Sequence, residues 1–124
     1  MGDDIGRKKI LLVDDETISQ DIVVAILSDK YDIATSKSGK DALKLLVHYK
    51  PDLILLDIMM PEMNGWETYH NIRGISLLNQ VPIAFITSLS EAEGLEESKR
   101  LGASDYFTKP IDSKNFLSRI EKII

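Results

Sequence analysis

The chain has 124 residues, 44% of them hydrophobic and 28% charged, with a formal net charge of −5 and no cysteine. This length accommodates one domain with its own core and is too short for two ordinary ones; the composition is that of a globular protein, not a disordered or fibrous one. The acidic balance disfavours direct binding to nucleic acid, no apolar stretch approaches the roughly 20 residues of a membrane span, and Asp3 and Asp4 stand where a secretion signal carries positive charge. A cytoplasmic location is expected, and the absence of cysteine fits it.

Taken in chain order, apolar runs alternate with amphipathic stretches. Arg7, Lys8 and Lys9 read as a solvated strand entry, so residues 1–7 are expected to be a tail. Lys9 to Val13 is a continuous apolar run of the kind shown by a strand buried on both faces. Ile18, Ile22, Ala25 and Ile26 then recur at helical spacing, which predicts a helix with that stripe facing inward. Tyr31 to Thr35 is interrupted by Asp32 and reads as an edge strand. Ser38 caps a second helix carrying Ala42, Leu45 and Leu46. Leu53 to Leu56 is a third strand, and after the Asn64–Gly65 turn Trp66, Tyr69 and Ile72 mark a third helix. Val81 to Ile86 is a fourth strand. Ser90 and Glu93 have capping-box spacing and open a fourth helix that Gly102 closes. Tyr106 to Thr108 is a short edge strand. Phe116, Leu117, Ile120 and Ile124 form one face of a fifth helix capped by Asp112 or Ser113.

Five strands alternating with five helices through short connections imply right-handed crossovers and a parallel sheet covered on both faces. The final helix pattern runs to the last residue, so no effector domain is expected within these 124 residues.

The polar residues collect at the strand ends. Asp14, Asp15 and Glu16 follow the first strand, Asp57 the third, Thr87 the fourth and Lys109 the fifth. In a parallel sheet these positions share one rim, where doubly wound folds bind ligands. Gathered carboxylates repel unless a cation neutralises them, and hard oxygen donors suit Mg²⁺. A lysine and a hydroxyl on the same rim suit the remaining oxygens of a phosphoryl group, whose transfer needs little beyond positioning and charge neutralisation. A carboxylate not needed for the metal alone is a candidate nucleophile. Any one of these residues has a bland reading as a strand end or surface side chain; their conjunction on one rim does not.

Three segments carry a resemblance to a known family: Ile10 to Glu16 (ILLVDDE), Pro51 to Gly65 (PDLILLDIMMPEMNG) and Gly102 to Pro110 (GASDYFTKP). They resemble the signatures of response-regulator receiver domains of the CheY-like kind, in order and over nearly the whole chain, so that residues 8–124 would be the domain. The resemblance implies a flavodoxin-like (βα)5 fold with strand order 2-1-3-4-5. It implies that Asp57 accepts a phosphoryl group from a sensor histidine kinase or a histidine phosphotransfer protein. Asp15, Asp57 and the backbone carbonyl of Met59 would ligate Mg²⁺, for which Mn²⁺ substitutes, with Asp14 acting through water. Lys109 would pair with phosphoryl oxygens, its bond to Pro110 would be cis, Thr87 would turn its hydroxyl onto the phosphoryl group, and Tyr106 would swing inward behind it. Met59 and Leu89, two residues beyond Asp57 and Thr87, would tune phosphate lifetime; both are apolar, which implies slow self-dephosphorylation. Partners and a homodimer would use the surface of the fourth helix, fifth strand and fifth helix, which in turn would control a partner or an attached output domain. A stand-alone regulator and a module of a larger protein both fit.

The mobile element is expected to be the fourth helix, with Gly94 inside it and only Ala92, Leu95 and Leu101 as core residues. His48 and His70 read as surface or half-buried helix positions, and Met59, Met60 and Met63 as loop packing. A flavodoxin-like electron carrier would need a hydroxyl- and Gly-rich loop where Asp14 to Glu16 stand. A Mg²⁺-dependent phosphatase acting through an aspartyl phosphate would carry a second carboxylate at the position of Met59. A degenerate, binding-only receiver would not retain Asp14, Asp15, Asp57, Thr87 and Lys109 together. The chain is therefore expected to be a regulatory switch whose chemistry is confined to itself.

Overall fold

The computed structural model describes residues 6–124, so most of the expected tail lies outside the described residues. Five parallel strands, β1 (Lys9–Val13), β2 (Asp32–Ser36), β3 (Leu53–Leu56), β4 (Ile83–Thr87) and β5 (Asp105–Thr108), pair in the order β2-β1-β3-β4-β5. The helices α1 (Thr17–Leu27), α2 (Gly39–Leu45), α3 (Gly65–Arg73), α4 (Glu91–Leu101) and α5 (Ser113–Ile123) alternate with them, and a 3-10 turn at Ser76–Leu78 precedes β4. This is the flavodoxin-like doubly wound sandwich, with β2 and β5 at the edges as expected.

Alternation along each strand sorts the apolar residues into two cores. Leu11, Val13, Ile54, Leu56, Ile83 and Phe85 face Ala42, Leu46, Tyr69 and Ile72. Ile10, Leu12, Leu53, Leu55, Ala84 and Ile86 face Val23, Leu27, Phe116 and Ile120. A central strand buried on both faces must be apolar at every position, which explains the unbroken runs in the sequence.

Local signals act where they were expected. The Ser38 side chain accepts from Asp41 N at 3.0 Å. Glu93 accepts from both the backbone N–H and the hydroxyl of Ser90, and Gly102 ends α4 in the left-handed region at φ 84°. Asn64 and Glu67 form a reciprocal capping box at the start of α3.

Three expectations are corrected. In α1 the buried residues are Gln20, Val23 and Leu27, while Ile18 and Ile22 are 75% and 47% exposed and Ala25 is exposed. Only Ile26 of the expected stripe packs on the core. The helix is rotated so that the Gln20 amide donates to the carbonyls of Asp14 at 2.8 Å and Ser36 at 3.0 Å, tying α1 to the ends of β1 and β2. In α4, Ala92 is exposed, and Gly94 and Ser98 are buried instead. His48 lies in the turn beyond α2 and not on a helix.

Candidate functional site

The register places the site. Val13 of β1 pairs with Leu56 of β3, so the next residue of each strand, Asp14 and Asp57, emerges side by side; Asp57 N donates to Val13 O at 2.9 Å. On the other flank Thr87 pairs with Thr108, which delivers Lys109 to the same rim, its backbone N–H bonded to Thr87 O at 2.8 Å. Asp14, Asp57 and Thr87 are buried at 0%, 2% and 0% exposure, so their polar atoms must find partners within the site.

The Lys109 ammonium supplies much of what they need. Its Nζ lies 3.1 Å from Asp57 Oδ2, 2.9 Å from Glu16 Oε1 and 2.9 Å from Asp14 Oδ2, the last an ion-pair contact at a poor angle for a hydrogen bond. Burial works against the ammonium, but its close contacts with the Asp14 and Glu16 carboxylates and the charge of Asp57 outweigh it, so the lysine titrates well above its ordinary range. Asp14 is pushed upward by burial, despite a hydrogen bond from Glu16 N and the lysine. Glu16 is held below the usual carboxylate range by Lys109 and by the Ser19 hydroxyl, which donates to it at 3.1 Å.

Carboxylate oxygens of Asp14, Glu16 and Asp57 all lie within 4.8 Å of one another. Asp15, half-buried, carries an Oδ1 that is buried without a hydrogen-bond partner. A crowd of hard oxygen donors, in which Asp14 Oδ2 and Asp15 Oδ1 are both buried without a hydrogen bond, fits a small divalent cation such as Mg²⁺. Glu16, which stands in the sequence only as the third of a run of acids, is drawn into the cluster by Lys109, 93 residues away. No local pattern could have signalled that, nor the placement of Gln20 beneath Asp14.

The remaining candidates surround this centre. Met59 N donates to Asp57 Oδ1 at 3.1 Å, and the Lys109–Pro110 bond is cis. Gly65 lies against the backbone that follows β3: a Cβ there would sit 2.4 Å from Asp57 O and 2.5 Å from Ile58 Cα. The Thr87 hydroxyl accepts from Leu89 N at 3.3 Å. Tyr106 is turned inward, 4% exposed, and its hydroxyl donates to the carbonyls of Leu89 and Ser90. Met59, Met60 and Leu89, with Ile58, Asn64 and Trp66, line an apolar recess of about 500 Å³ beside the acidic centre. His48 and His70 are exposed and stand outside the site.

The family model for the response regulator receiver domain matches residues 10–121. The chain belongs to that family. The receiver domain is 36% identical over 123 residues to the alkaline phosphatase synthesis transcriptional regulatory protein PhoP of Bacillus subtilis, covering 95% of this chain and 49% of the relative. It is 33% identical over 118 residues to the phosphate regulon transcriptional regulatory protein PhoB of Pseudomonas aeruginosa, covering 94% of this chain and 52% of that protein. Among solved structures it resembles the chemotaxis protein CheY4 of Vibrio cholerae, with TM-score 0.88 and 28% identity over 96% of this chain and 100% of the other. The receiver domain thus spans about half the length, or less, of the curated relatives it matches, while it matches CheY4 end to end. No helix among its described residues is long and apolar enough to cross a membrane.

Proposed function

We propose that this receiver domain, taken as residues 8–124, is a phosphorylation switch in which Asp57 takes a phosphoryl group from a phosphohistidine on a sensor histidine kinase or histidine phosphotransfer protein. The observation that carries the reading is the setting of Asp57: a buried carboxylate at a strand end, 3.1 Å from the Lys109 ammonium and crowded by Asp14. An Asp57 oxygen attacks phosphorus while the bond to the donor imidazole nitrogen breaks; the electron pair stays on that nitrogen, which takes up a proton, and an acyl phosphate remains. Lys109 balances the negative charge carried in with the phosphoryl oxygens, and the Thr87 hydroxyl donates to one of them.

Asp15, Asp57 and the Met59 carbonyl are the donors for Mg²⁺ or Mn²⁺, with Asp14 acting through water. When bound, the ion supplies the charge neutralisation that lets a phosphoryl group approach these acids. The domain catalyses only its own phosphorylation and dephosphorylation. Its output passes through the face of α4, β5 and α5, to a partner, a second copy or an attached domain, without this domain touching nucleic acid. The added charge of about −1.5 to −2 is enough to bias that face.

Intact mass after incubation with acetyl phosphate tests the reading. The expected result is a gain of one phosphoryl mass that requires Mg²⁺ and is lost in Asp57→Ala. A folded wild type that binds Mg²⁺ yet gains no mass, from acetyl phosphate or from a phosphohistidine donor, overturns it.

A further inference from the structure

Gly94 occupies the middle of α4, in ordinary helical conformation; Gly102 is the only glycine with positive φ among the described residues. Glycine is the poorest helix former after proline, so neither backbone freedom nor propensity accounts for it. Space does. A Cβ at this position would fall 2.2 Å from Tyr106 Oη, 2.8 Å from its Cζ and 3.0 Å from its Cε1. The phenol of Tyr106 therefore lies directly on the α4 backbone, in a notch only glycine leaves open. From that seat its hydroxyl donates to Leu89 O at 3.0 Å and Ser90 O at 3.2 Å.

Both backbone polar groups of Leu89 are thereby held, its N–H by the Thr87 hydroxyl and its carbonyl by Tyr106. Ser98, one turn further along α4, is buried as well.

We propose that Gly94 is a positioning residue that seats Tyr106 inward before any phosphoryl group is present. Phosphorylation then moves Thr87 and releases the Leu89 N–H, while Tyr106 keeps its hold on the Leu89 carbonyl. The seat stands on geometry alone; its consequence for switching rests on the phosphorylation reading above. With any side chain at position 94 the ring, being the far end of a rotatable side chain, turns out to solvent and the β4–α4 connection loses that hold.

The test replaces the four tyrosines with 3-fluorotyrosine and follows each ¹⁹F signal against a soluble gadolinium chelate, with Tyr106→Phe assigning the signal in question. In the unphosphorylated wild type the Tyr106 signal is expected to be as protected as that of Tyr69, which is 5% exposed. In Gly94→Ala it broadens several-fold more, with or without acetyl phosphate. Thermal midpoints in a Tyr106→Ala background separate this from a general need for glycine: there Gly94→Ala is expected to be neutral or stabilising. A Tyr106 signal equally protected in Gly94→Ala, or an alanine as damaging without the tyrosine as with it, overturns the seat. Return of the Gly94→Ala signal to the protected state on phosphorylation overturns the consequence for switching. Mass measured on the same samples keeps the two readings apart, because absence of any phosphoryl gain counts against the switch and leaves the seat measured.

Discussion

Burial lifts the Asp14 carboxyl above its ordinary pKa, and the neighbouring Asp57 adds to the effect, while Glu16 N and Lys109 offset only part of it. Its Oδ2 is buried without a well-aligned hydrogen bond. An acid whose folded pKa is raised holds its proton more tightly in the native state, so its contribution to stability falls as pH rises through the carboxylate range. Asp14→Asn stays neutral and keeps the Oδ1 acceptor for Glu16 N. It is expected to be more stable than wild type at pH 7 by about 1 kcal/mol, and the gap should close below the carboxylate range. Urea unfolding at several pH values checks this, and an asparagine variant less stable at neutral pH counts against it. Met59 (55% exposed) and Leu89 line one recess and carry no group to orient water. Met59→Asn combined with Leu89→Glu is expected to speed phosphate loss by about tenfold or more, equivalent to about 1.4 kcal/mol of barrier. The decay of phosphorylated protein by mass gives the answer, and an unchanged rate sinks the idea.

Among the elements, α1 and α4 were the least legible from their own residues. The spacing of Ile18, Ile22, Ala25 and Ile26 correctly signals a helix, but periodicity sets only the angles between residues, not the rotation of the helix against the sheet. That rotation follows from Val23 and Leu27 entering the core and from Gln20 reaching the ends of β1 and β2. α4 buries Gly94 and Ser98, with Leu95 and Leu101 only partly covered, so little apolar area holds it down. Tyr69 ties its C-terminal end through a hydrogen bond to Leu101 O at 2.5 Å, and Tyr106 ties the other. Amide exchange along α4 is therefore expected to be at least about tenfold faster than along α1, a gap of about 1.4 kcal/mol in opening free energy. Equal protection in the two helices would falsify this ranking.

For the molecule as a whole, the central strands carry the stability. Leu55 is 0% exposed and packs in the core formed with α1 and α5. Leu55→Ala is expected to cost about 2–5 kcal/mol and, because the sheet joins both cores, to lower one cooperative unfolding transition rather than loosen a single layer. Denaturant unfolding followed by circular dichroism and by Trp66 fluorescence should give coincident curves; separate transitions would show the two layers to be independent.

The sheet, the succession of its elements and the rim on which Asp14, Asp57, Thr87 and Lys109 meet are legible in the amino-acid pattern. Those features follow from the apolar runs of the strands and from the alternation of strand and helix, whose crossover connections make the strands parallel. Tertiary structure alone decided the face that α1 turns inward, the recruitment of Glu16 by Lys109, the approach of Gly65 to Asp57 and the seat of Tyr106 on Gly94. Each of these is a meeting of residues distant in the chain, governed by how helices rotate and settle against the sheet, and no spacing within one segment encodes it.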